Sequence, residues 1–195
     1  GTFKHNFGTM KFAYATDNSN AACYVGDSAA DTTRMTPNVP AKGKNCLYNV
    51  ILESGSAGGI SSLYGTGSGN ADIAVAHILG SLHIKSQYNT EKLPSGAAPC
   101  LVVHGPLIID SGAGFDVSGF ASGTTVPSVT RRDEHFFLGG IFNHGTFSSD
   151  EKGAFSPTIY LAGTGGNIEG DLSRINDLRI LQDPTLNLDG AGDYV

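Results

Sequence analysis

The sequence predicts an all-β fold, and three observations support that prediction. Gly accounts for 27 of the 195 residues, whereas charged residues make up only 15%, well below the usual share in globular proteins. Ser, Thr, Asn and Asp fill the positions between the apolar runs. Those runs are short and rich in β-branched and aromatic residues, a balance that is typical of many short strands joined by tight turns.

The strands can be placed one by one, because each apolar run is bounded by Gly, Pro, Asn or Asp. They are predicted at 9–14, 46–53, 72–78, 80–85, 100–104, 106–110, 114–118, 135–138, 140–143, 145–148, 157–162, 166–169, 175–181 and 185–188. Only 72–84 has any helical character, and Gly80 with its β-branched neighbours argues against a helix. The polar stretches 17–45, 54–71, 86–99 and 119–134 are predicted to be surface loops.

Internal similarity predicts a repeat. Three segments near the start of the chain match later ones in the same order: GTF at 1–3 and 145–147, TMKFA at 9–13 with TIYLA at 158–162, and YNVIL at 48–52 with NDLRI at 176–180. The spacing drifts between the two copies, which predicts that 17–45 is a polar loop insertion in the first copy.

A second pattern, Gly-x-Leu-x-Ile, recurs between those copies. It stands at 80–84 and 105–109, and more loosely at 183–190. Strand, turn and strand repeated in this way predict coils of a solenoid, in which each coil buries its apolar residues against its neighbours. In GGIFNHGTFSS (139–149), Phe142 and Phe147 are expected to point inward, and Asn143 and Gly145 to turn the chain.

The segments PLIIDSGAGFDVSG (106–119), GGIFNHGTFSSDEKGAFSPTIYLAGTGGNIEG (139–170) and INDLRILQDPTLNLDGAG (175–192) together resemble the degenerate β-solenoid repeats of large secreted and surface-exposed proteins of bacteria and their viruses. The resemblance covers most of 46–195 and, more thinly, 1–16. It implies a single-stranded parallel β-helix that serves as a rod in adhesins, surface layers, phage fibres or head appendages, and it implies no shared active site. The 17–45 insertion departs from the repeat, and a β-sandwich is the alternative fold.

Charge and hydropathy exclude two classes of partner. The net charge of −6 is spread along the chain, and the longest basic run is Arg131-Arg132, so no basic stripe for nucleic acid is expected. The longest apolar run, at 99–110, is interrupted by His104, Gly105 and Pro106 and is too short for a membrane span. We expect residues 1–195 to form one β-solenoid segment of a longer protein, since the sequence starts without Met or a signal peptide.

The cysteines and histidines suggest no metal centre. Cys23, Cys46 and Cys100 form no Cys-x-x-Cys pair; buried thiols are favoured, with a Cys23–Cys46 disulfide as the alternative. The six histidines lack the spacing of metal ligands and are expected at corners or facing solvent. They are His5, His77, His83, His104, His135 and His144.

Carboxylates and glycine-rich segments are the candidate sites for catalysis or for ligands. A polysaccharide hydrolase or lyase would need two carboxylates together, and the available set is Asp110, Asp116, Asp133, Glu134, Asp150 and Glu151. The segments 65–72 and 163–170 lack the end of a phosphate-binding loop, and 110–119 lacks the register of a calcium-binding nonapeptide. The sequence therefore assigns no catalytic, cofactor-binding or metal-binding residue.

The function expected from the sequence is that of a non-catalytic structural rod or spacer in an extracellular, cell-surface or virion protein. Its expected partners are flanking coils of the same polypeptide or like subunits. A glycan- or receptor-binding adhesin module is the first alternative, with Tyr64 and Tyr88 as the aromatic residues in its loops. A β-helix polysaccharide hydrolase or lyase is the second.

Overall fold

A computed structural model describes residues 6–13, 23–24, 27–29, 46–53, 63–64, 73–89, 98–117, 134–149, 157–162, 167–181 and 185–186. Within these residues the chain is all-β and contains no helix, so none is present that is long and apolar enough to cross a membrane. The strands, in chain order, are β1 (Thr9–Ala13), β2 (Cys23–Tyr24), β3 (Asp27–Ala29), β4 (Asn49–Glu53), β5 (Leu63–Tyr64), β6 (Ile73–Ile78), β7 (Leu82–Ile84), β8 (Gln87–Asn89), β9 (Ala98–Val103), β10 (Leu107–Ile109), β11 (Gly114–Asp116), β12 (Glu134–Phe137), β13 (Ile141–Asn143), β14 (Thr146–Ser148), β15 (Thr158–Leu161), β16 (Asn167–Gly170), β17 (Asp177–Ile180) and β18 (Thr185–Leu186).

The strands form three sheets of three or more strands, and the chain visits them in a fixed order. Sheet 1 has the order β1-β4-β7-β10-β13-β16-β18, sheet 2 the order β17-β15-β12-β9-β6-β3, and sheet 3 the order β14-β11-β8. From β6 onward the chain runs from sheet 2 to sheet 1 to sheet 3, and it repeats that circuit with β9-β10-β11 and again with β12-β13-β14. Two short strands outside these sheets, β2 and β5, pair with each other.

Nearly all strand pairs of the described residues are parallel, and the exception is β3 with β6. Parallel pairing agrees with the sequence prediction, whereas the alternative, an antiparallel sandwich, would pair consecutive strands in the opposite sense. Adjacent parallel strands here come from successive circuits of the chain. They are separated by 25 residues from Leu82 to Leu107 and by 34 from Leu107 to Ile141.

The register aligns buried side chains across each sheet. In sheet 1 one row is formed by Met10, Val50, Leu82, Leu107, Ile141 and Ile168. Because side chains alternate along a strand, the neighbouring row faces outward; it is formed by Lys11, Ile51, His83, Ile108, Phe142 and Glu169. The three-residue strands β7, β10 and β13 accordingly show a buried, half-buried, buried pattern.

One apolar core joins the inward rows of all three sheets. Sheet 2 contributes Ile78, Val103, Phe137 and Leu161, and sheet 3 contributes Tyr88, Phe115 and Phe147. The rings of Phe115 and Phe147 stack with centroids 6.0 Å apart, and Phe137 meets Phe147 edge to face at 5.5 Å. Full burial of a large apolar side chain contributes about 1.5–3 kcal/mol, so these rows hold successive circuits together.

The predicted strands and the Gly-x-Leu-x-Ile pattern are confirmed. A strand lies within or overlaps each predicted run, and Leu82 and Leu107 are direct neighbours, as are Ile84 and Ile109. The looser third instance reaches the same sheet, where Leu186 pairs with Ile168. These positions match because, at β7 and β10, a Gly stands two residues before the first of two inward side chains of this sheet.

Other expectations were wrong. The matches TMKFA with TIYLA and YNVIL with NDLRI each join a strand of sheet 1 to a strand of sheet 2, so they are not equivalent positions. Phe142 faces outward and is half-buried, whereas Ile141 points inward. Phe147 does point inward, and Asn143 turns the chain as expected, because its Oδ1 accepts the Gly145 N–H at 3.1 Å. The match of 1–3 lies outside the described residues.

Three of the predicted loops contain strands. The 17–45 segment, predicted as a loop insertion, includes β2 and β3, the 54–71 segment includes β5, and the 86–99 segment includes β8 and the first residues of β9. Strands β2 and β5 have only two residues each, too few to show an alternation in a sequence. Of 119–134, only Glu134 is described, as the first residue of β12.

Candidate functional site

The histidines of the described residues lie at separate places in the fold. His83 and His144 lie on the outer side of sheet 1, His77 and His104 at sheet 2, and His135 is fully buried. Within the described ranges, no three His, Cys, Asp or Glu side chains come close enough to hold a metal ion. His5 lies outside the described residues. The expectation of corner or solvent-facing positions is therefore wrong for His77 and His135, which are buried.

His77 and His104 form a hydrogen-bonded pair. His77 Nδ1 lies 3.1 Å from His104 Nε2, and the ring centroids are 5.4 Å apart. The rings therefore meet end to end, and one nitrogen donates its proton while the other accepts it. The pair joins β6 to the residue that follows β9, so it links two successive circuits.

His135 is a titratable side chain with 0% of its surface exposed. Its Nδ1 accepts the backbone N–H of Leu101 at 3.2 Å, which fixes the neutral tautomer with the proton on Nε2. That Nε2 has no partner within hydrogen-bond distance in the described part of the chain. Burial lowers the pKa of His135 to about 4, and the backbone of Val117 offsets part of this effect. His135 is therefore neutral at pH 7.

Three charge pairs lie along the outer side of sheet 1, which we call the paired-charge face. Their shortest distances are 3.1 Å for Lys11 Nζ to Glu53 Oε1, 2.6 Å for His83 Nε2 to Asp110 Oδ1, and 3.8 Å for His144 Nδ1 to Glu169 Oε1. Each pair joins two neighbouring strands of sheet 1 or the residues that directly follow them. Together the three pairs extend along this sheet from β1 to β16. Exposed pairs contribute only about 0–1 kcal/mol each, so the face is held mainly by the core beneath it.

A second group, the tyrosine cluster, lies on the outer side of sheet 2. It consists of Glu134, Thr158, Tyr160, Asp177 and Arg179. Tyr160 O–H donates to Glu134 Oε1 at 3.0 Å, and Thr158 Oγ1 donates to Asp177 Oδ2 at 2.8 Å. Arg179 donates from Nε and Nη2 to the two oxygens of Asp177, each at 3.1 Å. The cluster therefore links three adjacent strands, β12, β15 and β17.

Both faces of the Tyr160 ring are occupied. Phe136 stacks on it with a centroid separation of 4.6 Å, and the Arg179 guanidinium lies 5.9 Å from its centroid. Burial, followed by the charge of Glu134, raises the pKa of Tyr160 to about 12. The ring offers no face on which a sugar could stack, and the cluster acts as a brace between strands.

The carboxylates considered for sugar cleavage are not brought together. Asp110 follows β10 of sheet 1, Asp116 ends β11 of sheet 3, and Glu134 begins β12 of sheet 2. Asp133, Asp150 and Glu151 lie outside the described residues. The sequence candidates do not include the residues that form the tyrosine cluster with Glu134, namely Tyr160, Asp177 and Arg179. These residues lie in circuits of different length, so no fixed spacing in the sequence relates them to Glu134.

Four further sequence candidates lie in strands, at a corner or buried in the fold. Tyr88 belongs to β8, is buried, and donates its hydroxyl to the Glu53 carbonyl, so it is not a loop residue open to a glycan; burial raises its pKa. Residues 167–170 of the second glycine-rich segment form β16, whereas 110–113 form the corner between β10 and β11, and 114–116 form β11 itself. Cys46 and Cys100 are buried thiols, the interpretation favoured from the sequence. The 65–72 segment and the side chains of Cys23 and Tyr64 lie outside the described residues.

In comparisons with known proteins, no family model, no curated protein and no solved structure matches this chain.

Proposed function

We propose that the chain is a stretch of single-stranded parallel β-helix, a β-solenoid, and that its function is structural. It serves as a rigid rod or spacer in an extracellular, cell-surface or virion protein and presents other parts of that protein at a distance. The observation that carries this proposal is the repeated circuit through sheets 2, 1 and 3, in parallel register, with the inward rows in line.

The mechanism is geometric. Backbone hydrogen bonds between strands run along the stacking direction, and apolar rows from the three sheets pack together in one core. Pairs such as His77 with His104, and Glu134 with Tyr160, tie one circuit to the next at sheet 2. A solenoid of this kind owes its stability to contacts between neighbouring circuits, which suits it to bearing load along its axis. Strand β3, which belongs to the 17–45 segment, pairs with β6 at one edge of sheet 2.

Each of the two alternative functions has a structural requirement that can be compared with the fold. An adhesin module would bind a glycan or receptor through the 17–45 or 86–99 segments; the burial of Tyr88 removes one of the aromatic residues considered for it. A polysaccharide hydrolase or lyase would need carboxylates in one groove, but Asp110, Asp116 and Glu134 belong to three different sheets. The structural function is therefore the one that the geometry supports best.

The test is to locate the chain in its native assembly. Antibodies raised against the chain and detected by immunogold electron microscopy should label surface fibres or virion appendages at a constant distance from their base. Labelling confined to the cytoplasm would overturn the proposal. Saturable binding on a glycan array that is lost when 86–99 is deleted would favour the adhesin, and cleavage of a polysaccharide would favour the enzyme.

A further inference from the structure

The paired-charge face carries two parallel rows of side chains, each running from strand to strand across sheet 1. The first is the outward row, with Lys11 and Glu169 at its ends and Ile51, His83, Ile108 and Phe142 between them. The second row lies two positions further along each strand, where backbone hydrogen bonds continue the parallel ladder. It consists of Glu53, Lys85, Asp110 and His144. Acidic and basic residues therefore alternate from one strand to the next.

Both rows are accessible to a partner. The Asp110 and His144 side chains are 44% and 50% exposed, and the apolar members of the first row are half-buried. Lys85 is exposed and forms no ion pair with another residue of the described ranges. Asp110 meets His83 through Oδ1. A cation and a carboxylate on adjacent strands can therefore each take a partner from outside the chain.

We propose that the paired-charge face binds the same face of a second copy of the chain, with the stacking direction of that copy reversed. The two-fold axis runs parallel to the strands, between β7 and β10. Strand β7 then faces β10 of the second copy, β4 faces β13, and β1 faces β16. Two sheets with aligned strands commonly pack face to face in this way, and the six strands from β1 to β16 lie within the contact.

The charges select this register. Lys85 faces Asp110 of the second copy, and Glu53 faces His144; by symmetry each contact occurs twice. An axis on β7 would place Lys85 opposite Lys85, and an axis on β10 would place Asp110 opposite Asp110, both of which are unfavourable. A second copy with its stack unreversed would again place β7 opposite β7 and bring the two Lys85 side chains together.

The ends and the centre of the first row fit the same arrangement. Reversal of the stack places Lys11 opposite Glu169 of the second copy at each end of the contact. Between these ends the half-buried Ile51, Ile108 and Phe142 meet their equivalents across the interface. The self-complementary order of charges along the face is the reason for choosing a second copy as its partner.

The size of the face predicts a weak dimer. Six strands about 4.8 Å apart, over about 15–20 Å of strand length, give roughly 500 Å² for each copy. A total of about 1,000 Å² is typical of a reversible interface. The contact lies on the side of the stack, so further circuits at either end would leave it open. The pairing rests on the proposed structural function, to which it adds a partner: two rods joined side by side.

Charge reversal tests the pairing by sedimentation velocity on the 195-residue chain, at low ionic strength and from micromolar to near-millimolar concentration. The unchanged chain should dimerise reversibly. Lys85→Glu and Asp110→Lys should each weaken dimerisation tenfold or more, because each places like charges opposite each other at two points. An equimolar mixture of the two variants should restore the dimer, since one contact then joins the two reversed charges and the other joins the two unchanged ones. That recovery would also show that both variants are folded.

Arg174→Glu is the matched control, because it changes the net charge by the same amount as Lys85→Glu. Arg174 is exposed and lies between β16 and β17, outside the paired-charge face, so the control should dimerise like the unchanged chain. A chain that stays monomeric throughout, a dimer indifferent to Lys85→Glu, or a mixture that stays monomeric would each overturn the side-by-side pairing. None of these results would move the immunogold label, so failure of the pairing is distinguishable from failure of the structural function.

Discussion

Gly105 lies where two successive circuits approach closely, so an added methyl group there should be poorly tolerated. A Cβ at this position would lie 2.6 Å from both the backbone carbon and the oxygen of Gly80, and ordinary contacts begin at 3.4 Å. The Gly105 N–H also donates to the Gly80 carbonyl at 2.9 Å. Gly139 stands in the same relation to Gly105, with its Cβ position 2.2 Å from the Gly105 carbonyl carbon.

The expected cost of Gly105→Ala follows from these contacts. The obstructing atoms are backbone, so no side chain can swing away, and the two circuits must separate by most of an ångström. Overpacking of this kind costs about 1–3 kcal/mol, and weakening the hydrogen bond adds about 1 kcal/mol. We therefore expect Gly105→Ala to lower the free energy of unfolding by about 3 kcal/mol.

Gly112→Ala is the matched control, because it adds the same methyl group where nothing lies within 4 Å and φ is +79°. Only the left-handed backbone is then unfavourable, at about 1–2 kcal/mol. Urea unfolding followed by far-UV circular dichroism measures both values, with an unchanged slope as the check that the unfolded state is the same. If Gly105→Ala costs no more than Gly112→Ala, the circuits do not stack at this corner.

Three further predictions follow from single side chains. The folded pKa of His135, about 4, lies below its unfolded value of 6.5, so the free energy of unfolding should fall as the pH drops below about 6.5. Between pH 7 and pH 5 the expected loss is about 2 kcal/mol, and urea unfolding measures it. The loss should vanish in His135→Gln. Phe147→Ala should cost about 3–5 kcal/mol and Phe142→Ala much less by the same assay, whereas equal costs would place both rings in the core. Tyr160→Phe should lower the free energy of unfolding by about 1 kcal/mol, because the hydrogen bond to Glu134 is lost. Since the pKa of Tyr160 is raised to about 12, the stability that its protonated hydroxyl confers should be lost as the pH rises from 10 to 12. An ultraviolet titration in which every tyrosine titrates at the ordinary pKa would contradict the raised pKa.

The strands could be predicted from the sequence because alternation and turn residues act locally. Gly80 and Gly105 each stand two residues before an inward Leu, and that spacing correctly identified adjacent strands of one sheet. The assignment of strands to sheets could not be made in the same way, since an inward-outward alternation looks alike in all three sheets. Hence TMKFA was matched to TIYLA although β1 and β15 belong to different sheets.

The outer clusters could not be predicted, because their members come from circuits of unequal length. Glu134 and Tyr160 meet across 26 positions, Thr158 and Asp177 across 19. No constant period relates them, and a charged or hydroxyl residue on a strand gives no sign of its partner. Phe142 was misplaced for a related reason: its neighbour Ile141 is also apolar, so the pattern alone does not say which of the two faces the core.

The central claim is that successive circuits lie side by side in parallel register, and a disulfide test addresses it most directly. Ile108 and Phe142 are register partners on β10 and β13, so their Cα atoms should be about 5 Å apart, within the range for a disulfide. The double variant Ile108→Cys with Phe142→Cys should form that bond on mild oxidation, as mapped by mass spectrometry of the digested protein. Ile51→Cys with Phe142→Cys, on strands separated by β7 and β10, should not. Equal yields from the two variants, or no bond in the first, would contradict the parallel stacking.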